Sequence, residues 1–128
     1  MTDVVINGQT PREVLVSALS DAFPEWLVVP VENVPDSLDR PAIVIKQRSI
    51  APLPEAPQSH FTVSSLVTVV DDHTEWANAE PSLDTNVLLV WAALMGTKNV
   101  HPKTATKALF NTQYLSYDIE TDLTVQKG

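Results

Sequence analysis

A chain of 128 residues with 44% hydrophobic content has room for one compact domain with a modest core and none for a second. Its 16 acidic and 8 basic residues give a formal net charge of -8, which argues against a general binder of nucleic-acid backbones and favours a basic partner surface. With no cysteine, disulfides and thiolate metal sites are excluded.

The start, MTDVVINGQT, lacks the basic flank and apolar run of a signal peptide, and the longest apolar run, Val87 to Met95, is too short to span a bilayer. The chain reads as soluble and made in a cytoplasm. Thr10-Pro11-Arg12-Glu13 reads as a capping box, the threonine hydroxyl accepting from the Glu13 amide while that carboxylate reaches back. A helix to about Ala22 follows, with Val14, Leu15, Ala18, Leu19 and Ala22 on its apolar face, and Pro24 stops it.

Trp26 to Val31 is short and rich in β-branched and aromatic residues, which predicts a strand. Pro30 removes a ladder donor, so that strand lies at an edge or bends. Residues 32 to 41 have turn composition. Ala42 to Ile50 predicts a half-exposed strand, with Ile43 and Ile45 on one face and Lys46 and Arg48 on the other.

Ile50 to His60 carries Pro52, Pro54 and Pro57 without periodicity, which predicts a stiff loop standing away from the domain without adding a strand. A loop of that length in a small domain is either functional or disordered. Phe61 to Asp71 then predicts a strand, with Phe61, Val63, Val67 and Val69 on one face and Thr62, Ser64, Leu66, Thr68 and Val70 on the other.

Asp71, Asp72, His73 and Glu75 crowd together as acid-base or metal-binding side chains. Without a second spaced ligand pair, they read as a solvated turn between strand and helix.

Glu80 to Gly96 predicts the helix that organises the chain. Pro81 suits the first turn, Asp84 the positive end of the dipole, and Gly96 a left-handed stop. Leu83, Val87, Val90, Trp91 and Leu94 recur at helical spacing, while Leu88, Leu89, Ala92, Ala93 and Met95 fill the flanks. A helix apolar nearly all round needs cover on more than one side, and a chain this short has one sheet to offer. A neighbouring subunit is therefore expected over Leu88, Leu89 and Met95.

Thr97 to Lys107 reads as a polar connection containing His101-Pro102. From Ala108 strand chemistry returns, and Leu115, Tyr117, Ile119, Thr121, Leu123 and Val125 alternate with Ser116, Asp118, Glu120, Asp122 and Thr124. The row Asp118, Glu120, Asp122 is expected on an exposed edge strand, facing water or a basic partner.

The fold class is α+β: a single domain over 1–128, with a small mixed or antiparallel sheet of about four strands. Two helices pack on it, and a proline-rich hairpin arm projects over 50–60. No phosphate-loop, dinucleotide or nucleophile-elbow motif exists, and only 3 glycines are present, so no enzymatic activity and no cofactor are expected. Sparse aromatics and few basic residues also disfavour single-stranded nucleic acid as a ligand.

This order of elements resembles the tail terminator proteins of long-tailed bacteriophages of the siphophage type. The resemblance rests on TPREVLVSALSDAF, on RPAIVI at Arg40 to Ile45, on FTVSSLVTVVD at Phe61 to Asp71, on EPSLDTNVLLVW, and on the terminal SYDIETDLTV. It covers the chain from about Thr10 to the end and is one of segment style, with no catalytic signature.

The resemblance implies a structural virion protein that forms a six-fold ring of identical subunits. Such a ring caps the tail tube, ends its polymerisation and offers a surface for head-tail joining. The implied partners are the major tail tube protein and a head-neck connector. No membrane and no specific nucleic-acid binding are implied, although DNA can pass through the ring. The implied location is the head-proximal end of the tail, after assembly in the bacterial host cytoplasm.

Pro52, Leu53, Pro54 and Glu55 are the expected contacts of the arm with an adjoining protein. A neck stopper or a minor tail tube protein would present the same order of elements. A small-molecule or metal-binding domain built on Asp71, Asp72, His73 and Glu75 is the reading from another class.

Overall fold

The computed structural model describes residues 4–5, 10–30, 38–52, 60–110 and 113–127. In chain order these form β1 (Val4–Val5), α1 (Pro11–Ala22), β2 (Leu27–Val29), β3 (Ala42–Pro52), β4 (His60–Val70), α2 (Trp76–Met95), β5 (Val100–Phe110) and β6 (Tyr114–Lys127). The protein is α+β. Its strands join in one mixed sheet of order β1-β6-β4-β3-β2, with β5 also paired to β6. Because β1 has only 2 residues, five strands carry the sheet, one more than the sequence suggests. β2 runs parallel to β3, and the other pairings are antiparallel.

Both helices lie on one face, α2 over β4, β5 and β6 and α1 beside it over β2 and β3. Alternation along each strand sends Ile43, Ile45, Val63, Val67, Val69, Ile119 and Leu123 to that face. There they meet Leu15 and Leu19 of α1 and Leu83, Val87, Val90 and Leu94 of α2. Each such side chain contributes about 1.5–3 kcal/mol on full burial. On the opposite face a smaller cluster of Val29, Ala42, Val44, Val70 and Tyr114 takes in Leu38, whose N–H donates to the Tyr114 hydroxyl at 2.9 Å.

The capping box forms as read. The Glu13 amide donates to Thr10 Oγ1 at 3.2 Å, and the Thr10 amide donates to Glu13 Oε1 at 3.2 Å. These bonds hold the Glu13 carboxyl below its usual range, the Thr10 side chain being the first cause. β2 is an edge strand, as the proline after it implies.

Elsewhere the expected boundaries move. α2 begins at Trp76, not at Glu80, and Pro81 lies inside it. Ala79 is fully buried and opens the stripe that continues through Leu83, Val87, Val90 and Leu94. Tertiary burial therefore adds a turn that proline alone would deny. Pro81 is exposed, so the Ala77 carbonyl it leaves unbonded can be hydrated. Asp84 stands well inside the helix, away from the dipole's positive end, and the helix has no acidic residue in its first turn. Gly96 is right-handed (φ -78°, ψ -5°), and the left-handed residue is Asn99 at φ 66°.

The segment 97–107 is not a loop: β5 occupies Val100–Phe110 and pairs along β6 from Leu123 to Tyr114. The sequence conceals it because it is a polar edge strand whose register slips between Pro102 and Thr104, breaking the period of two. β3 likewise runs on to Pro52, opposite Phe61, and β4 starts at His60. Pro52 and its two predecessors thus belong to a ladder and not to a strandless loop, while Leu53, Pro54 and Glu55 fall outside the described residues.

Finally, β6 is no edge. It sits between β4 on one side and β5 on the other.

Candidate functional site

α2 carries a stripe that its own chain leaves bare. Leu88, Leu89 and Met95 are 69%, 49% and 66% exposed, whereas Leu83, Val90 and Leu94 are fully buried. At 3.6 residues per turn, Glu80, Asp84, Leu88, Trp91 and Met95 fall within roughly 80° of one another. Their direction is fixed by Glu80, which accepts a 2.6 Å hydrogen bond from Lys107 Nζ on β5.

Leu88 and Met95 therefore face outward beside the free edge of β5, while Leu89 lies about 100° further round the helix from Leu88, on its other flank. The Glu80 hydrogen bond holds the Lys107 ammonium above its usual range. Both partners are half in solvent, so the pair orients the helix more than it stabilises it. Trp91 is half-covered and its Nε1–H donates to Met95 Sδ at 3.1 Å, which holds the methionine on the same side.

The turn after β4 is less solvated than its composition suggests. Asp71 is fully buried, because its amide donates to the Leu115 carbonyl at 3.0 Å and extends the ladder past Val70. Its Oδ1 accepts from the His73 amide at 2.8 Å and lies 2.7 Å from His73 Nδ1. That hydrogen bond, and then the charge behind it, raises the His73 pKa.

Asp71 Oδ2 is buried without a hydrogen-bond partner among the described residues. Ligand atoms of Asp71, Asp72 and His73 lie within 4.8 Å of one another. They are three ligand atoms from one turn, and His73 Nδ1 is already within 2.7 Å of Asp71 Oδ1. Glu75 is not part of this group; its Oε2 accepts from Asn78 Nδ2 at 3.3 Å.

The acidic row lies on the face without helices, but two of its members are engaged. Asp118 Oδ1 accepts from Thr68 Oγ1 at 2.6 Å. Asp122 accepts from Ser64 Oγ at 3.0 Å and pairs with Lys103 Nζ at 3.4 Å. Glu120 is exposed. The sequence reading missed Ser64 and Thr68 as partners, although the alternation of both strands already places them on the face of the row. What it lacked was the register Ser64↔Asp122 and Thr68↔Asp118.

Beside α1 a shallow groove of about 350 Å³ is lined by Thr10, Arg12, Glu13, Val16, Ser17 and Pro30. It lies on the other helix, away from the bare stripe. Among the described residues, no helix is long and apolar enough to cross a membrane. No protein-family model matches this chain, and no curated protein is significantly similar to it.

Proposed function

We propose that this protein is a structural assembly module of a phage tail. In this reading copies associate into a ring that caps the tail tube, ends its polymerisation and forms the tail side of the head-tail joint. The observation that carries the proposal is the bare apolar surface of α2, where Leu88 and Met95 on one flank are 69% and 66% exposed and Leu89 on the other is 49% exposed, since exposed apolar patches mark interaction sites.

The resemblance to tail terminators supplies the six-fold ring, the tail tube and connector partners, and the location at the head-proximal end of the tail. Action is by shape and binding, without bond chemistry and without a cofactor. The net charge of -8 suits a basic tube end or connector.

Electron micrographs and light scattering of the purified protein test the reading. Discrete closed rings are expected, and their addition to polymerising tube protein should arrest growth. A particle that remains monomeric and leaves tube growth unchanged refutes it. Open filaments from the protein alone would instead identify a tube-forming subunit.

A further inference from the structure

We propose that copies of this chain join head to tail through the sheet, the free edge of β5 in one copy receiving the uncovered outer half of β3 from the next. The inference rests on the assembly reading above and specifies its contact.

Two open edges make it geometrically available. β2 covers only Ala42 to Val44 of β3, so the outer side of residues 45–52 has no strand beside it among the described residues. Among the described residues β5 pairs with β6 on one side only, so its other side is equally open. Following the antiparallel steps from β3 through β4 and β6 to β5, β5 runs opposite to β3. A neighbour placed beside the first copy in the same orientation therefore brings β3 to β5 as an antiparallel pair, the arrangement with perpendicular hydrogen bonds.

Side chains match as well. Ile50 shares a row with Val63 and Leu123, which places it on the helix-bearing face, and it is 51% exposed. Added beside β5, that face of β3 comes under the flank of α2 where Leu88 and Met95 are bare. The two surfaces differ, so the contact is heterologous and can propagate around a ring.

The absence of cysteine makes a clean cross-linking test available. Thr106, opposite Asp118, and both Lys46 and Ser49, opposite Leu66 and Ser64, lie on the face without helices. Chains carrying Thr106→Cys with Lys46→Cys, or Thr106→Cys with Ser49→Cys, cover two registers. Treatment with a short bis-maleimide should give a covalent ladder from at least one, and none from the single variants. Ile50→Asp in the same background should abolish the ladder while the thermal unfolding temperature stays unchanged.

If light scattering finds the unmodified protein assembled and neither double variant gives a ladder, this contact is wrong and the assembly reading survives. If the protein is monomeric at every concentration and no ladder forms, both fall. A covalent dimer from Thr106→Cys alone means that β5 pairs with β5, which also overturns the head-to-tail contact.

Discussion

Replacing Leu88, Leu89 and Met95 together by serine separates what holds the monomer from what holds an assembly. In one copy these side chains are 69%, 49% and 66% exposed. Their loss should shift monomer stability by about 0.5 kcal/mol or less each, the usual range for surface positions. Complete burial of such a side chain is worth about 1.5–3 kcal/mol, so covering the exposed fractions would yield roughly 3–5 kcal/mol for the three. That is an upper figure, because association also orders side chains. At 1.4 kcal/mol per factor of ten, the triple variant should associate up to about 100-fold to 4,000-fold more weakly. Sedimentation velocity across a concentration series reads the association, and urea unfolding at low protein concentration reads the fold. An unchanged oligomer distribution with an unchanged urea midpoint would refute the claim that this face is an interface.

Leu94→Ala acts on the other side of the same helix: with Leu94 fully buried, stability should fall by about 2–5 kcal/mol in urea titration. Thr10→Ala removes the acceptor for the Glu13 amide and should cost about 1 kcal/mol. Because the Glu13 pKa is lowered in the fold, its contribution is present above the unfolded value and lost as pH falls through the folded one. An acid titration of Thr10→Ala should therefore be flatter there than that of the parent. His73 has the opposite sign: its raised pKa makes its pairing with Asp71 fully effective below about 6.5, and that contribution is lost as pH rises through the folded value. His73→Asn should remove this part of the pH dependence in thermal unfolding, and an unaltered profile would show that the pair is energetically idle. Gly96→Ala should be tolerated or stabilise by about 0.4–1 kcal/mol, since φ is -78° and an added Cβ meets only Ala92 O at 3.5 Å and Ala93 O at 3.7 Å; a drop in melting temperature would contradict this.

What the sequence disclosed was local. The capping box of α1 could be read because its donor and acceptor sit three residues apart, and the strand at β4 because both of its faces alternate without interruption. The start of α2 was misread because Pro81 is a strong local signal, and only the burial of Ala79 against the sheet outweighs it. β5 went unseen because an edge strand with mostly exposed side chains and a slipped register offers no buried period to detect. The row Asp118, Glu120, Asp122 looked like the guard of an edge because Thr68 and Ser64, which engage two of its members, lie far away in sequence. Asp71 reads as solvated in the sequence for the same reason: its burial goes with its bond to Leu115, far along the chain. The bare stripe of α2 was legible because it depends on composition alone. A helix with so few polar residues cannot bury every side against one sheet.

The central place of β6 has a consequence for the sheet's rim. By pairing with both β4 and β5, the terminal strand leaves β5 as the rim on one side, while β2, with 3 residues, guards only part of β3 on the other. Soluble proteins blunt such rims with proline, lysine and bulges. Here those devices are placed unevenly. Pro102, Lys103 and the register slip occupy the first part of β5, leaving Thr104 to Phe110 with Lys107 alone of these devices. A rim guarded along only part of its length is suited to a short, specific strand contact and resists open-ended pairing. A head-to-tail contact of that kind closes when its rotation divides a full turn and runs on as a filament when it does not. On the proposed reading, the difference between a cap and a tube subunit reduces to one angle between neighbouring copies, which electron micrographs of the purified protein measure directly.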